Sequence, residues 1–237
     1  MISVVIPAYN EEDNIAYCLD AFLRQTTKRD FEVILVNNAS TDRTAEIAHK
    51  YSDKLNLNVI LDLTKGRGHA RYVGFNNAKG EVILSSDSDT VVPDNWIETL
   101  ASILDNNLNA VAVTGTCKVI DLDLKTNKRF NQLQPLSMRI YKIMRHHYWL
   151  TGSNFAIRRD AYLKSGGFNP RLNVQEDIDL SLRVSKVGRI LFLPNIPVIS
   201  SGRRFKKGLV KGLLQYGKTF LGLYRRNGEE VSLDDPR

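Results

Sequence analysis

Cysteine is nearly absent: the 237 residues include only Cys18 and Cys117, far apart and at expected helix and strand positions. Two such thiols make neither a disulfide framework nor a zinc-ligand spacing, which points to a reducing compartment. Long apolar runs are missing too. No uninterrupted stretch approaches the roughly 18 residues that a bilayer-crossing helix needs. Met1-Ile2-Ser3-Val4-Val5-Ile6-Pro7 lacks the basic leader and the apolar length of a signal peptide. The expected location is the cytoplasm, either free or peripheral on the cytoplasmic face of the membrane. Histidine is limited to four residues, and the adjacent His146 and His147 cannot share a helix face, which argues against a two-histidine metal site.

The remaining composition, 43% apolar and 25% charged, is that of a globular chain long enough for one sizeable core. A net charge of +7 suits anionic membrane surfaces or phosphorylated substrates. No nucleic acid is expected as a partner.

Along the chain, strands and helices alternate. Ser3-Val4-Val5-Ile6-Pro7 is a predicted strand. After it Asn10 is placed to cap a helix opened by Glu11, Glu12 and Asp13, with Ile15, Leu19, Phe22 and Leu23 on its buried face. Val33–Val36 is a second strand, followed by Asn37-Asn38-Ala39 and a helix opened by Ser40 or Thr41. Val59-Ile60-Leu61 is a third, and Val111-Ala112-Val113 a later one. Tandem βα units imply a mostly parallel sheet flanked by helices, an α/β fold. Asp94 is placed to cap a helix carrying Trp96, Leu100, Ile103 and Leu104. Residues 118–149 are less regular, polar and basic, and read as a surface-exposed connecting helix. Strand character returns at 151–157, and a helix burying Leu180, Val184 and Val187 is predicted to stop at Gly188.

Three stretches carry chemistry. The apolar run ending in Ser85-Ser86-Asp87-Ser88-Asp89 delivers two carboxylates to a strand's C-terminal edge, where ligands of open α/β sheets collect. Asp87 and Asp89 there suit a hard cation such as Mg²⁺ or Mn²⁺ that also takes phosphate oxygens, or else an ordinary Asx turn. Lys65-Gly66-Arg67-Gly68, with Arg71 where a dinucleotide fingerprint has its third glycine, suits a cationic cradle for a diphosphate at a helix start, or else a flexible basic turn. Glu176, Asp177 and Asp179 open another helix. They complement its dipole, and one of them is a candidate general base. Further on, Arg203–Arg226 includes eight Lys or Arg residues and no acid, a basic amphipathic segment suited to a membrane surface or to packing against the core. An acidic tail follows.

Taken in order, several motifs resemble the family-2 glycosyltransferases of the GT-A fold. They are Val4–Glu12, Ser40-Thr41-Asp42, Ala70-Arg71 with Gly74, Asp87-Ser88-Asp89, Gly166-Gly167-Phe168, and Glu176-Asp177 with Leu180 and Arg183. The resemblance covers about residues 2–205. It implies an inverting transferase that uses a nucleoside-diphosphate sugar, a divalent cation near Asp87 and Asp89, and Asp177 as base. It also implies donor contacts from Pro7, Tyr9, Glu11, Asn37, Asn38, Lys65, Arg71 and Ser88, and acceptor or supporting roles for Gly152, Asn154, Glu176 and Arg203. The expected organisation is a catalytic domain over 1–205, with a nucleotide-sugar half (1–115) and an acceptor half (116–205), then a basic helix and tail over 206–237. Asn37-Asn38-Ala39 stands where many members have Asp-Asp-Gly, an element associated with the nucleobase, so UDP, GDP and dTDP all stay open. The Gln-x-x-Arg-Trp element of processive synthases is absent, which favours addition of one sugar. The acceptor, whether lipid-linked, protein or glycan, also stays open.

Two alternatives have their own signals. Asp87-Ser88-Asp89-Thr90-Val91 also fits the nucleophile motif of haloacid-dehalogenase-like phosphatases, although that family carries it on the first strand. A non-catalytic nucleotide-sugar or membrane-surface binding module would keep the basic cradle and have no need of Asp177.

Overall fold

The computed structural model describes residues 1–206 and Gly208. Eight strands form one sheet: β1 (Ile2–Ala8), β2 (Phe31–Asn38), β3 (Leu57–Asp62), β4 (Val82–Ser85), β5 (Thr90–Val91), β6 (Ala110–Lys118), β7 (Phe155–Arg158) and β8 (Arg189–Ser200). Their spatial order is β3-β2-β1-β4-β7-β6-β8-β5. The β1–β2, β2–β3, β1–β4 and β6–β8 pairs are parallel, and the pairs β4–β7, β6–β7 and β5–β8 are antiparallel. The helices are α1 (Ile15–Leu23), α2 (Thr44–His49), α3 (Arg67–Asn77), α4 (Trp96–Asp105), α5 (Leu124–Arg145), α6 (Arg159–Lys164) and α7 (Glu176–Val184).

Strands β1 and β4 are buried along their whole length, because helices cover both sheet faces. On one face α1, α2 and α4 pack through Ile15, Leu19, Ala48, Trp96 and Leu100. On the other, α3, α6 and α7 pack through Ala70, Phe75, Tyr162, Leu180 and Val184. Gly74 brings α3 close to the sheet: a Cβ there would lie 2.4 Å from Val5 Cγ1. Strand order reverses around β1, because β2 lies on one side and β4 on the other. This switch point opens a crevice at the strands' carboxyl ends.

Several local expectations change in the folded chain. Asn10 does not cap α1, which begins only at Ile15. It adopts φ 50° and accepts from the Thr41 N–H at 2.9 Å. Glu11 is thereby turned inward and not left in a first helical turn. Leu23 is exposed, one step off the buried stripe. Helix α2 begins at Thr44 with Arg43, and not Ser40 or Thr41, at its capping position; just before it Asp42 Oδ1 accepts from Thr44 N at 2.9 Å. Asp94 pairs with Arg24 at 3.4 Å, leaving Asn95 at the start of α4. Helix α7 ends at Val184, and Gly188 lacks the left-handed backbone expected of a terminating glycine. Residues 124–145 form one continuous helix capped by Asp123, which accepts from Thr126 N at 3.0 Å. Strand β8 shows no regular pattern in the sequence because Pro194 and Pro197 interrupt it. The β6–β8 register shifts between Gly115 and Cys117, opposite these prolines. Arg203–Phe205 is a short 3-10 turn, and the rest of the expected basic helix and tail lies outside the described residues, apart from Lys206 and Gly208.

Candidate active site

A cleft of about 1220 Å³ opens at the switch point. The end of β1 places Pro7, Tyr9 and Glu11 on its wall, the end of β2 places Asn38, and the turn after β4 places Asp87, Ser88 and Asp89. Lys65, Gly66 and Arg67 come from the β3–α3 loop, Gly152 from the approach to β7, and Glu176 and Asp177 from the start of α7. The candidate base and the two strand-end acids, about ninety residues apart in sequence, therefore share one cavity.

Arg71 connects them. Its guanidinium is 1% exposed. Nη2 donates to Asp87 Oδ1 at 2.6 Å, Nε donates to Glu176 Oε1 at 3.2 Å, and Nη1 donates to Ser85 Oγ. Ser85 Oγ in turn donates to the Gly152 carbonyl at 2.7 Å. Arg71 was expected in the diphosphate cradle. Instead its planar fork is committed to organising acids beneath the cleft, and the cradle is left to Lys65 and Arg67. Lys65 lies over the Tyr9 ring at 5.2 Å.

Asp177 is held by two backbone donors: Gly152 N–H to Oδ2 at 3.1 Å and Ile178 N–H to Oδ1 at 2.8 Å. A Cβ on residue 152 would meet Arg71 Nη2 at 2.8 Å and Asp177 Oδ2 at 3.2 Å, so only glycine fits between them. A helix dipole favours the ionised form of an acid in the first turn, where Asp177 stands. Burial outweighs it: desolvation, reinforced by the Glu176 charge, pushes the carboxyl up to about 7, against the pull of Arg71 and the two N–H groups. A carboxylate balanced near neutrality suits acceptance of a proton. Asp179 pairs with Arg183, which also donates to the Ser165 carbonyl at 2.7 Å, so it is engaged elsewhere.

Across the cleft, Arg203 bridges two acids. Its guanidinium donates to Glu11 Oε2 at 3.1 Å and pairs with Asp89 Oδ2 at 2.8 Å. Asp89 is pushed up to about 6 by burial and by Asp87, with Arg203 opposing. Glu11, Asp87 and Asp89 thus gather carboxylate oxygens beside Arg203, Arg71 and Arg67. Burial, reinforced by the same acids, raises the Cys18 thiol. Hard oxygen donors of this kind fit Mg²⁺ or Mn²⁺. Among the described residues no three His, Cys, Asp or Glu side chains converge as a metal cage. Two carboxylates completed by phosphate oxygens is the arrangement that fits a small cation of this kind.

Two expected site residues sit elsewhere. Asn154 is fully buried: it accepts from Trp96 Nε1 at 2.8 Å and donates to the Thr116 and Ile196 carbonyls, each at 2.8 Å. It braces β6, β7 and β8 and does not face an acceptor. Asn37 stays behind the wall, accepting from Ser40 N at 3.2 Å. Asn38 does reach the cleft, donating to Asp62 Oδ2 and to the Thr64 carbonyl, both at 2.7 Å, and accepting from Gly66 N at 2.8 Å. Asp62, which also lies 2.9 Å from His69 Nδ1, was missed. The signal was available, since it is an acid at the carboxyl end of a strand, as Asp87 is. Asn173 was missed too. Its Oδ1 is buried beside Gly66 with no hydrogen-bond partner among the described residues, and no sequence pattern announced it.

Acids and amides gathered at the carboxyl ends of a mixed, mostly parallel sheet define a GT-A-type fold, and solved structures agree. A mannosyltransferase from Pyrobaculum calidifontis, in complex with GDP-Man and Mn²⁺, matches with TM-score 0.69 at 20% identity, covering 92% of this chain and 64% of that one. Staphylococcus aureus TarS 1-349 in complex with UDP-GlcNAc matches with TM-score 0.67 at 24% identity, over 84% and 58%. The glycosyl transferase family 2 profile matches residues 3–166, and the chain belongs to that family. The probable glycosyltransferase YdaM of Bacillus subtilis is 31% identical over 205 residues, 81% of this chain; the chain spans about half of YdaM's length. Family membership displaces the phosphatase alternative, and Asp87 stands in the turn after the fourth strand and not after the first.

Proposed function

We propose that this chain transfers one sugar from a nucleoside-diphosphate sugar to an acceptor hydroxyl or phosphate, with inversion at the anomeric carbon. The observation that carries this reading is the continuous path from Asp177 through Gly152, Ser85 and Arg71 to Asp87 along one cleft. Direct displacement needs a base on one face of the sugar and charge neutralisation at the leaving diphosphate on the other. Asp177 accepts the acceptor's proton. Arg71 holds Asp87 in place, and Lys65 and Arg67 face the diphosphate. Asp87 and Asp89 would hold Mg²⁺ or Mn²⁺, which when bound neutralises diphosphate charge. Pro7, Tyr9, Glu11, Asn38 and Ser88 shape the donor pocket, and Gly152 and Glu176 position the base. The nucleotide sugars in the TarS and Pyrobaculum complexes support the donor class. A binding module would have no use for a carboxyl on the cleft wall that burial raises to about 7, which favours an enzyme.

Calorimetry tests the donor half. Wild type should bind a nucleoside diphosphate more tightly with Mn²⁺ than without it, and Asp89→Asn should lose the increment with its fold intact. Equal affinity of wild type and Asp89→Asn in Mn²⁺ would remove the cation from the site.

A further inference from the structure

Helix α5 carries an apolar face to which none of the donor, cation or base roles above is assigned. Six of its 22 residues, Lys125, Lys128, Arg129, Arg139, Lys142 and Arg145, are basic and none is acidic, in a chain whose net charge is +7. Its buried residues are Met138 and Tyr141. At about 100° per residue, Leu133, Leu136, Ile140, Ile143 and Met144 fall within an arc of about 100° turned away from that pair. All five are exposed, Ile143 by 76% and Met144 by 69%. Lys128, Arg139 and Lys142, also exposed, border one flank of the stripe. Leu133, Leu136, Ile140 and Met144 line the cleft that ends at Asp177, so the stripe runs from the cleft rim onto the outer surface.

We propose that this face of α5 docks the protein onto an anionic lipid bilayer. The apolar stripe enters the headgroup and acyl boundary, and the flanking cations meet lipid phosphates. Charge complementarity selects this occupant: a long apolar stripe beside cations with no acid on the helix is the design of an interfacial helix. A second copy of α5 would set cation against cation. Among the described residues no helix is long and apolar enough to cross a membrane, so the contact is one of lying on the surface. The inference goes beyond the transfer reading and stands apart from it, because docking needs neither donor nor Asp177.

Sedimentation of the full chain with vesicles decides it. Wild type should pellet with vesicles of mixed phosphatidylcholine and phosphatidylglycerol at low salt, and far less with phosphatidylcholine alone or at high salt. Arg139→Gln and Lys142→Gln should each weaken binding about five-fold, which corresponds to about 1 kcal/mol per interfacial charge. Ile143→Gln, at a side chain outside the cleft, should weaken it at both salt concentrations with an unchanged melting temperature. Equal pelleting of wild type and all three variants would assign binding to another basic surface and overturn the proposal. Absence of pelleting at low salt, or a concentration-dependent dimer in its place, would overturn it as well.

Discussion

Replacing Asp177 by Asn removes the proposed base while keeping its shape. The amide can still accept from Gly152 N–H or Ile178 N–H, but its NH₂ then faces the other donor, which costs about 1–3 kcal/mol. Relief of the repulsion with Glu176 acts in the opposite direction. Stability should therefore change little, and nucleoside-diphosphate affinity should stay near wild type. Turnover should fall by about 10²–10⁴-fold, the contribution of a positioned base, equivalent to about 3–5 kcal/mol of barrier. The pH profile gives a second readout. A base works only when deprotonated, and burial lifts this carboxyl to about 7, so wild-type turnover should rise with pH and level off above that value. At pH 5 it should lie about 100-fold below the plateau, since each unit below the pKa leaves tenfold less base. Glu176→Gln removes a charge that raises Asp177 and should shift the rising limb to lower pH. Asp179→Asn should leave the limb in place. The assay is single-turnover transfer at saturating donor and acceptor from pH 5 to 8.5. Near-normal turnover of Asp177→Asn, or a wild-type profile flat across this range, would refute the assignment.

Arg203→Ala should destabilise the fold by about 3 kcal/mol in urea unfolding at pH 8, because it leaves Glu11 and Asp89 without their shared cation. The deficit should shrink toward pH 5, since Asp89, already pushed up to about 6, then takes a proton in the native state; a deficit that does not change with pH would refute this account. Gly152→Ala drives a methyl against Arg71 and Asp177, and should lower turnover by up to about 10²-fold through misplacement while donor affinity holds within a few-fold; unaltered turnover in the same assay would count against it. Asn154→Ala strands the Trp96 N–H and two carbonyls, and should cost at least about 2 kcal/mol by thermal or urea unfolding with unchanged KM values. A raised acceptor KM in a stable protein would restore Asn154 to the acceptor site.

The sequence by itself determined the alternating β-α order, the burial of β1 and β4, and the acids at the carboxyl end of β4. Each of these is a local matter, either an apolar run that must be covered on both faces or a turn that must follow it. The ordered motifs also identified the family before any coordinates. Cap positions were less legible. Asn10 and Asp94 have the right chemistry for capping α1 and α4, but tertiary partners at Thr41 and Arg24 claimed their side chains. Strand β8 was hidden by Pro194 and Pro197, which its irregular pairing with β6 accommodates. The tertiary structure alone decided what the charged groups do. Arg71 reads as a phosphate ligand in sequence, yet it lies buried among Asp87, Ser85 and Glu176. Asp177 reads as a dipole-stabilised carboxylate, yet burial and the Glu176 charge raise it to about 7. A charge's role depends on the solvent and the opposite charges around it, and these come from residues as far apart as Glu11 and Arg203, which only the fold brings together.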